Sequence, residues 1–387
     1  MKALARWSVA LLAGVSLSLG LLAPVARATS PLAAPAAQPS RGMSVPDVAP
    51  GEALQAAVRQ QVGLVPSPVE RAAQRALNPD DYECATTDLD RYIDGLLAGL
   101  SGDELDFLFS SGVLDFPAVE ALYLGTQGDP DFALGGKGKK LEQTFRDLQR
   151  FWDVRSDDIQ LLAMYGEMLT DADRVARLLV AVYGFSAAEA AEYAEYVSSV
   201  VRDVPAFQDG AFPLFTLNAF AFTGEGDPDP MVAEIPDKII MGDGLLRYFA
   251  KVGLSDVGPR VVLAHEFGHH IQFELNLFDS PLTGAEATRR TELMADAFAT
   301  YYAVHARGLS LNAKRVTAAL QSFYDVGDCY FDDPGHHGTP QQRARSAAWA
   351  ASLASNARPQ GKIMSAATFA ALFDEKLPEL VAPDARR

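Results

Sequence analysis

Two histidines separated by three residues, in His265-Glu266-Phe267-Gly268-His269, constrain this chain more than any other feature of its sequence. Side chains four apart on an α-helix lie about 40° apart around the axis and one turn along it, so both imidazoles can reach a single metal ion. Pro259 suits the first turn of such a helix, where its missing N–H would be unpaired anyway. Glu266 follows the first histidine and points close to the same side, where it can accept a proton from a water polarised by the metal. Two imidazoles with a carboxylate suit zinc, and one ion per chain is expected. Taken alone, the five residues also fit a helix that merely carries two surface histidines.

A carboxylate further along supplies the missing ligand. Glu292, in Arg289-Arg290-Thr291-Glu292-Leu293-Met294-Ala295-Asp296-Ala297, is expected to start a second helix that runs to Arg307 and stops at Gly308. His265, His269 and Glu292 then form a two-His, one-Glu set that leaves a fourth position for water, as a catalytic zinc site requires. Asp296 shares a face with Glu292 and is expected to hold the far nitrogen of a ligand histidine. Ala295, Ala299 and Ala303 give this helix a small-residue surface that permits close approach. Gly268 costs about 1 kcal/mol of helix propensity relative to Ala, and its missing side chain is expected to keep space beside the metal. A third segment, His336-His337-Gly338-Thr339-Pro340-Gln341-Gln342-Arg343, reads as a rigid turn ahead of a new helix. Catalytic use of His337, or of Arg343 as an oxyanion donor, and a plain capping role for this segment both fit.

The remaining organisation follows from charge and apolar patterning. Lys2 and Arg6, the apolar run Trp7 to Ala23, and Ala26-Arg27-Ala28 predict an export signal over residues 1–28, cleaved after Ala28. An uncleaved anchor is the alternative, and either places the chain outside the cytoplasm, in a periplasm or beyond the cell. No other apolar stretch is long enough to span a bilayer, so no stable membrane span is expected once the signal is removed. Residues 29–50 read as a flexible Ala/Pro-rich spacer. Residues 51–205 read as a helical domain, with a capping box at Ser186 and Glu189. Leu214 to Phe222 and Lys238 to Met241 read as neighbouring strands joined by the acidic loop Gly224 to Pro230, and the chain after 245 is helical again. The fold class is therefore α+β, predominantly helical, with a short strand region in the second half. A net charge of -17 repels phosphate backbones and speaks against a nucleic-acid partner. The only two cysteines, Cys84 and Cys329, favour one disulfide in an oxidising compartment, with two buried thiols as the alternative.

Ala264 to Gln272, Glu292 to Ala299, Gly327-Asp328 and His337 to Arg343, in this order and spacing, resemble the bacterial neutral zinc metallopeptidase family. The resemblance covers about residues 210 to 355. It implies a zincin-type core over 206–387, with His265, His269 and Glu292 on zinc, Glu266 as catalytic base and a functional part for His337. It also implies an edge strand that pairs with a bound peptide, so a peptide or protein substrate is expected. The alternative function is a non-catalytic, zinc-stabilised binding protein of the cell envelope. An amidase acting on cell-wall peptides shares the metal chemistry. The oligomeric state is left open by the sequence.

Overall fold

A computed structural model of the chain describes residues 52–61, 87–136, 138–326, 338–357 and 361–382. The expected signal segment and spacer, Cys84, Cys329, His336 and His337 lie outside the described residues. The first half carries helices α1 (Glu52–Gln61), α2 (Asp88–Leu97), α3 (Gly102–Ser110), α4 (Phe116–Tyr123) and α5 (Gly138–Phe151). Strand β1 (Gln160–Met164) follows, then α6 (Ala172–Ala181) and α7 (Ala187–Asp203). The second half holds β2 (Ala219–Phe222), the short α8 (Pro230–Ala233), β3 (Lys238–Gly242) and α9 (Asp243–Lys251). It ends on α10 (Gly258–Glu274), α11 (Ala285–Val304), α12 (Ala313–Val326), α13 (Pro340–Asn356) and α14 (Ala366–Leu380). The fold is thus α+β and predominantly helical. No helix among the described residues is long and apolar enough to cross a membrane.

Local chemistry accounts for many of the boundaries. Thr87, Ser101 and Ser186 each close a capping box with the acid three residues on, so one side chain and one backbone N–H are satisfied in each direction. Pro259 stands in the first turn of α10, where it costs no hydrogen bond. Helix α11 differs from expectation at both ends. It begins at Ala285, so Glu292 lies two turns inside it, and it ends at Val304 rather than Arg307. His305 leaves the helix in an extended conformation, with Nδ1 accepting from the Arg307 N–H and Nε2 donating to the Lys362 carbonyl.

The sheet has the order β1-β3-β2, with β1 parallel and β2 antiparallel to the central β3. The expected neighbours β2 and β3 do pair, but Pro213–Thr216 forms a 3-10 turn, so the strand is shorter than its apolar run. Strand β1 was not expected, and it comes from the residues assigned to the helical half. Its pairing with β3 joins the two halves through one sheet. A second tie is Lys238, 2% exposed, whose Nζ donates to the carbonyls of Ala121, Leu122 and Gly125 at the end of α4. Those carbonyls carry the negative end of the helix dipole, which favours a cation there. Burial still pushes the Lys238 pKa down, to about 8. The acidic loop serves turn formation: Asp227 accepts from the Asp229 N–H, and Asp229 caps α8.

Helix α11 runs through the main core, with Leu293, Met294, Ala297, Phe298 and Tyr302 all fully buried. Each such large side chain contributes roughly 1.5–3 kcal/mol on burial. A helix apolar on nearly every side belongs at the centre of a core, and α10, α13 and α14 pack around it. This placement gives the polar residues of α11 a rigid support.

Candidate metal centre

The centre is built where α10 and α11 cross, and the crossing depends on Gly268. A Cβ at Gly268 would lie 3.0 Å from the Ala295 Cα and 3.2 Å from the Ala295 carbonyl oxygen. The expected role of this glycine, space beside the metal, is therefore replaced by another. Its missing side chain is filled by the backbone of the facing helix. One turn along α10, the Gln272 Nε2 donates to the Thr291 carbonyl at 2.7 Å. Advancing four residues on α10 thus means retreating four on α11, so the two helices run antiparallel.

This register brings His265, His269 and Glu292 together. The two histidine Nε2 atoms are 3.1 Å apart, His265 Nε2 lies 3.4 Å from one Glu292 oxygen, and His269 Nε2 lies 3.4 Å from the other. The imidazole planes stand at 90° to each other, so neither ring shields the other's nitrogen. Tetrahedral ligands about 2.0–2.1 Å from an ion are separated by about 3.3 Å. The two imidazole nitrogens are near that separation, the Glu292 carboxylate faces both, and the group could hold a metal ion. Their exposures of 9, 13 and 12% leave a narrow opening to solvent. Glu266 sits beside His265 on the same helix and is 6% exposed.

Both Nδ1 atoms are engaged behind the ligand atoms. His265 Nδ1 donates to Asp296 Oδ1 at 2.9 Å, and His269 Nδ1 to Gln272 Oε1 at 2.9 Å. Each contact leaves the Nε2 lone pair for the metal side. Asp296, fully buried, also accepts two bonds from Arg343, Nε to Oδ2 at 2.8 Å and Nη2 to Oδ1 at 2.7 Å. Arg343 is 2% exposed, and its third nitrogen is 3.8 Å from Glu292. In this arrangement Arg343 supports Asp296, a contact that neither expected role of the segment included. Thr339 and Gln342 form a capping box at the start of α13, which aims Arg343 back at α11.

Electrostatics follow from this packing. Burial opposes a charge on His265, but Asp296 and Glu292 outweigh it and raise its pKa to about 10. Burial likewise opposes charge on His269, and the nearby Glu292 carboxylate reverses the balance and raises its pKa. In the absence of metal, protons on the imidazoles take the place of a cation between two acids. His270 belongs to a different set: its Nε2 meets the Lys238 carbonyl at 3.0 Å, and its Nδ1 lies 3.4 Å from Asp237. It locks α10 to β3. Gln272 is the site residue that sequence reasoning passed over, although its position three after His269 places it on the same helix face. No protein family, curated protein or solved structure compared with the chain matches it.

Proposed function

We propose that the chain is a zinc-dependent metallohydrolase acting on peptide bonds, in line with the resemblance to neutral zinc metallopeptidases. The observation that carries this reading is the convergence of one ligand atom each from His265, His269 and Glu292, all within 4.8 Å of one another, beside the buried Glu266. His265, His269 and Glu292 would hold the ion. When bound, zinc supplies Lewis acidity and lowers the pKa of the attacking water to about 7. Glu266 would act as the general base, accepting a proton from the attacking water and passing it to the leaving amine. Strand β2 packs beside α10 and is an edge of the described sheet, and an edge strand suits pairing with an extended peptide. Among the described residues the ligand set has three members and no cysteine, which favours catalysis over a closed structural site, since such a site generally uses four protein ligands.

The test is zinc content and peptide-library cleavage on the purified protein and its Glu266→Gln variant. One zinc per chain in both, with cleavage by the parent only, is the expected result. Equal cleavage by both samples would remove Glu266 from the mechanism. Zinc without cleavage in either would favour the zinc-stabilised binding protein.

A further inference from the structure

We propose that Gln272 is a positioning residue for the metal centre, holding the His269 ring and tying it to the helix that carries Glu292. The proposal rests on the metal-centre reading above. Gln272 is fully buried and makes two contacts, one to each side of the α10–α11 crossing. Its Nε2 lies 2.7 Å from the Thr291 carbonyl, which can only accept. The amide group must therefore turn its NH2 to Thr291, and that fixes Oε1 toward His269 Nδ1, 2.9 Å away. The reverse orientation would set two carbonyl oxygens against each other in a buried place, leaving both unpaired. With Oε1 as its acceptor, His269 Nδ1 carries a hydrogen, which leaves Nε2, the atom on the Glu292 side, as the one that would take the metal.

The link is mechanical as well as electronic. Thr291 immediately precedes Glu292, so one side chain bridges a ligand on α10 to the residue next to a ligand on α11. The bridge is short because Gly268, one turn away, lets the helices approach to contact at Ala295. His265 is backed differently, by an anion that is itself neutralised by Arg343. A neutral amide behind His269 holds the ring without adding a third carboxylate to a pocket that already contains Glu266, Glu292 and Asp296. A carboxylate at position 272 would still accept from His269, but in its ionised form it could not donate to Thr291.

Two variants separate ring positioning from helix packing. Gln272→Leu keeps the volume and removes both contacts, whereas Gln272→Glu keeps the acceptor for His269. Zinc affinity is read by chelator competition, and the ligand geometry by the visible spectrum of the cobalt-substituted protein. We expect Gln272→Leu to bind zinc about 10–100-fold more weakly, with an altered cobalt spectrum, and Gln272→Glu to recover most of that loss. If Gln272→Leu binds zinc like the parent with an unchanged spectrum, the proposal is wrong. If Gln272→Glu is as weak as Gln272→Leu, the residue serves helix packing and not the ring. A parent that takes up no zinc overturns the metal-centre reading and this proposal with it.

Discussion

Replacing Asp296 with asparagine tests the charge arrangement beneath the candidate site, because it changes one charge and almost no volume. In the native protein Asp296 accepts from His265 and twice from Arg343, and both charged partners are buried. Asparagine retains one acceptor oxygen, so shape and part of the hydrogen bonding survive. What is lost is the countercharge of a guanidinium that is 2% exposed. Breaking a buried ion pair from one side costs about 3–5 kcal/mol, since the remaining charge is left in a low-dielectric place. Glu292 lies 3.8 Å from Arg343 and compensates in part, so the lower end, about 3 kcal/mol, is expected. That is a large share of the roughly 5–15 kcal/mol that holds a domain folded. Urea unfolding of the metal-free protein, with chelator present, measures it. The paired variant Asp296→Asn with Arg343→Met removes both charges and should cost clearly less than the sum of the two single changes, by about 1–3 kcal/mol. A loss below about 1 kcal/mol for Asp296→Asn, or strict additivity in the paired variant, would refute the reasoning.

The other expectations concern the same crossing. Gly268→Ala gains about 1 kcal/mol of helix propensity but drives a methyl into Ala295. A lower melting temperature is expected, and a higher one would show that the helices are not in close contact. The raised pKa of His265 gives the metal-free protein stability that is fully present below pH about 6.5 and is lost as pH rises through about 10. The difference in urea midpoint between the parent and His265→Gln should shrink over that window. Taking the difference cancels Lys238, whose lowered pKa gives the opposite slope above pH about 8. A difference that stays flat with pH would contradict the assigned interactions of His265.

The parts of the structure that were legible in the sequence are those written in local spacing. Histidines four apart, a proline six residues upstream, and Ser or Thr three before an acid each specify a helix or its start through local spacing. Strands β2 and β3 were legible because aromatic and β-branched residues stand between Gly, Asp and Pro clusters. Strand β1 was not, since Gln160-Leu161-Leu162-Ala163-Met164 is built of good helix formers. It is a strand because β3 offers a parallel edge beside it, a long-range fact that no local pattern carries. The start of α11 was missed for a related reason. Gly284 enters it with positive φ and no side-chain cap, so there was no capping signal to read. Gly268 was legible as unusual, but its reason was on the other helix, in the backbone of Ala295. Gln272 was hidden the same way, because its partner Thr291 becomes adjacent only when the two helices cross.

The parallel ladder between β1 and β3 also bears on how the chain matures during synthesis. β1 leaves the ribosome with α6 and α7 still to follow, and its partner comes only after β2 and the acidic loop. Parallel pairing over such a separation requires closing a long loop before any contact rewards it. Helices of the first half can form early from their own caps, but the strand among them has to wait for a sequence not yet translated. Commitment to the native topology is therefore late. It falls at the point where Lys238-Ile239-Ile240-Met241 emerges and gives β1 a neighbour, with only α9 between it and the helix that carries both histidines.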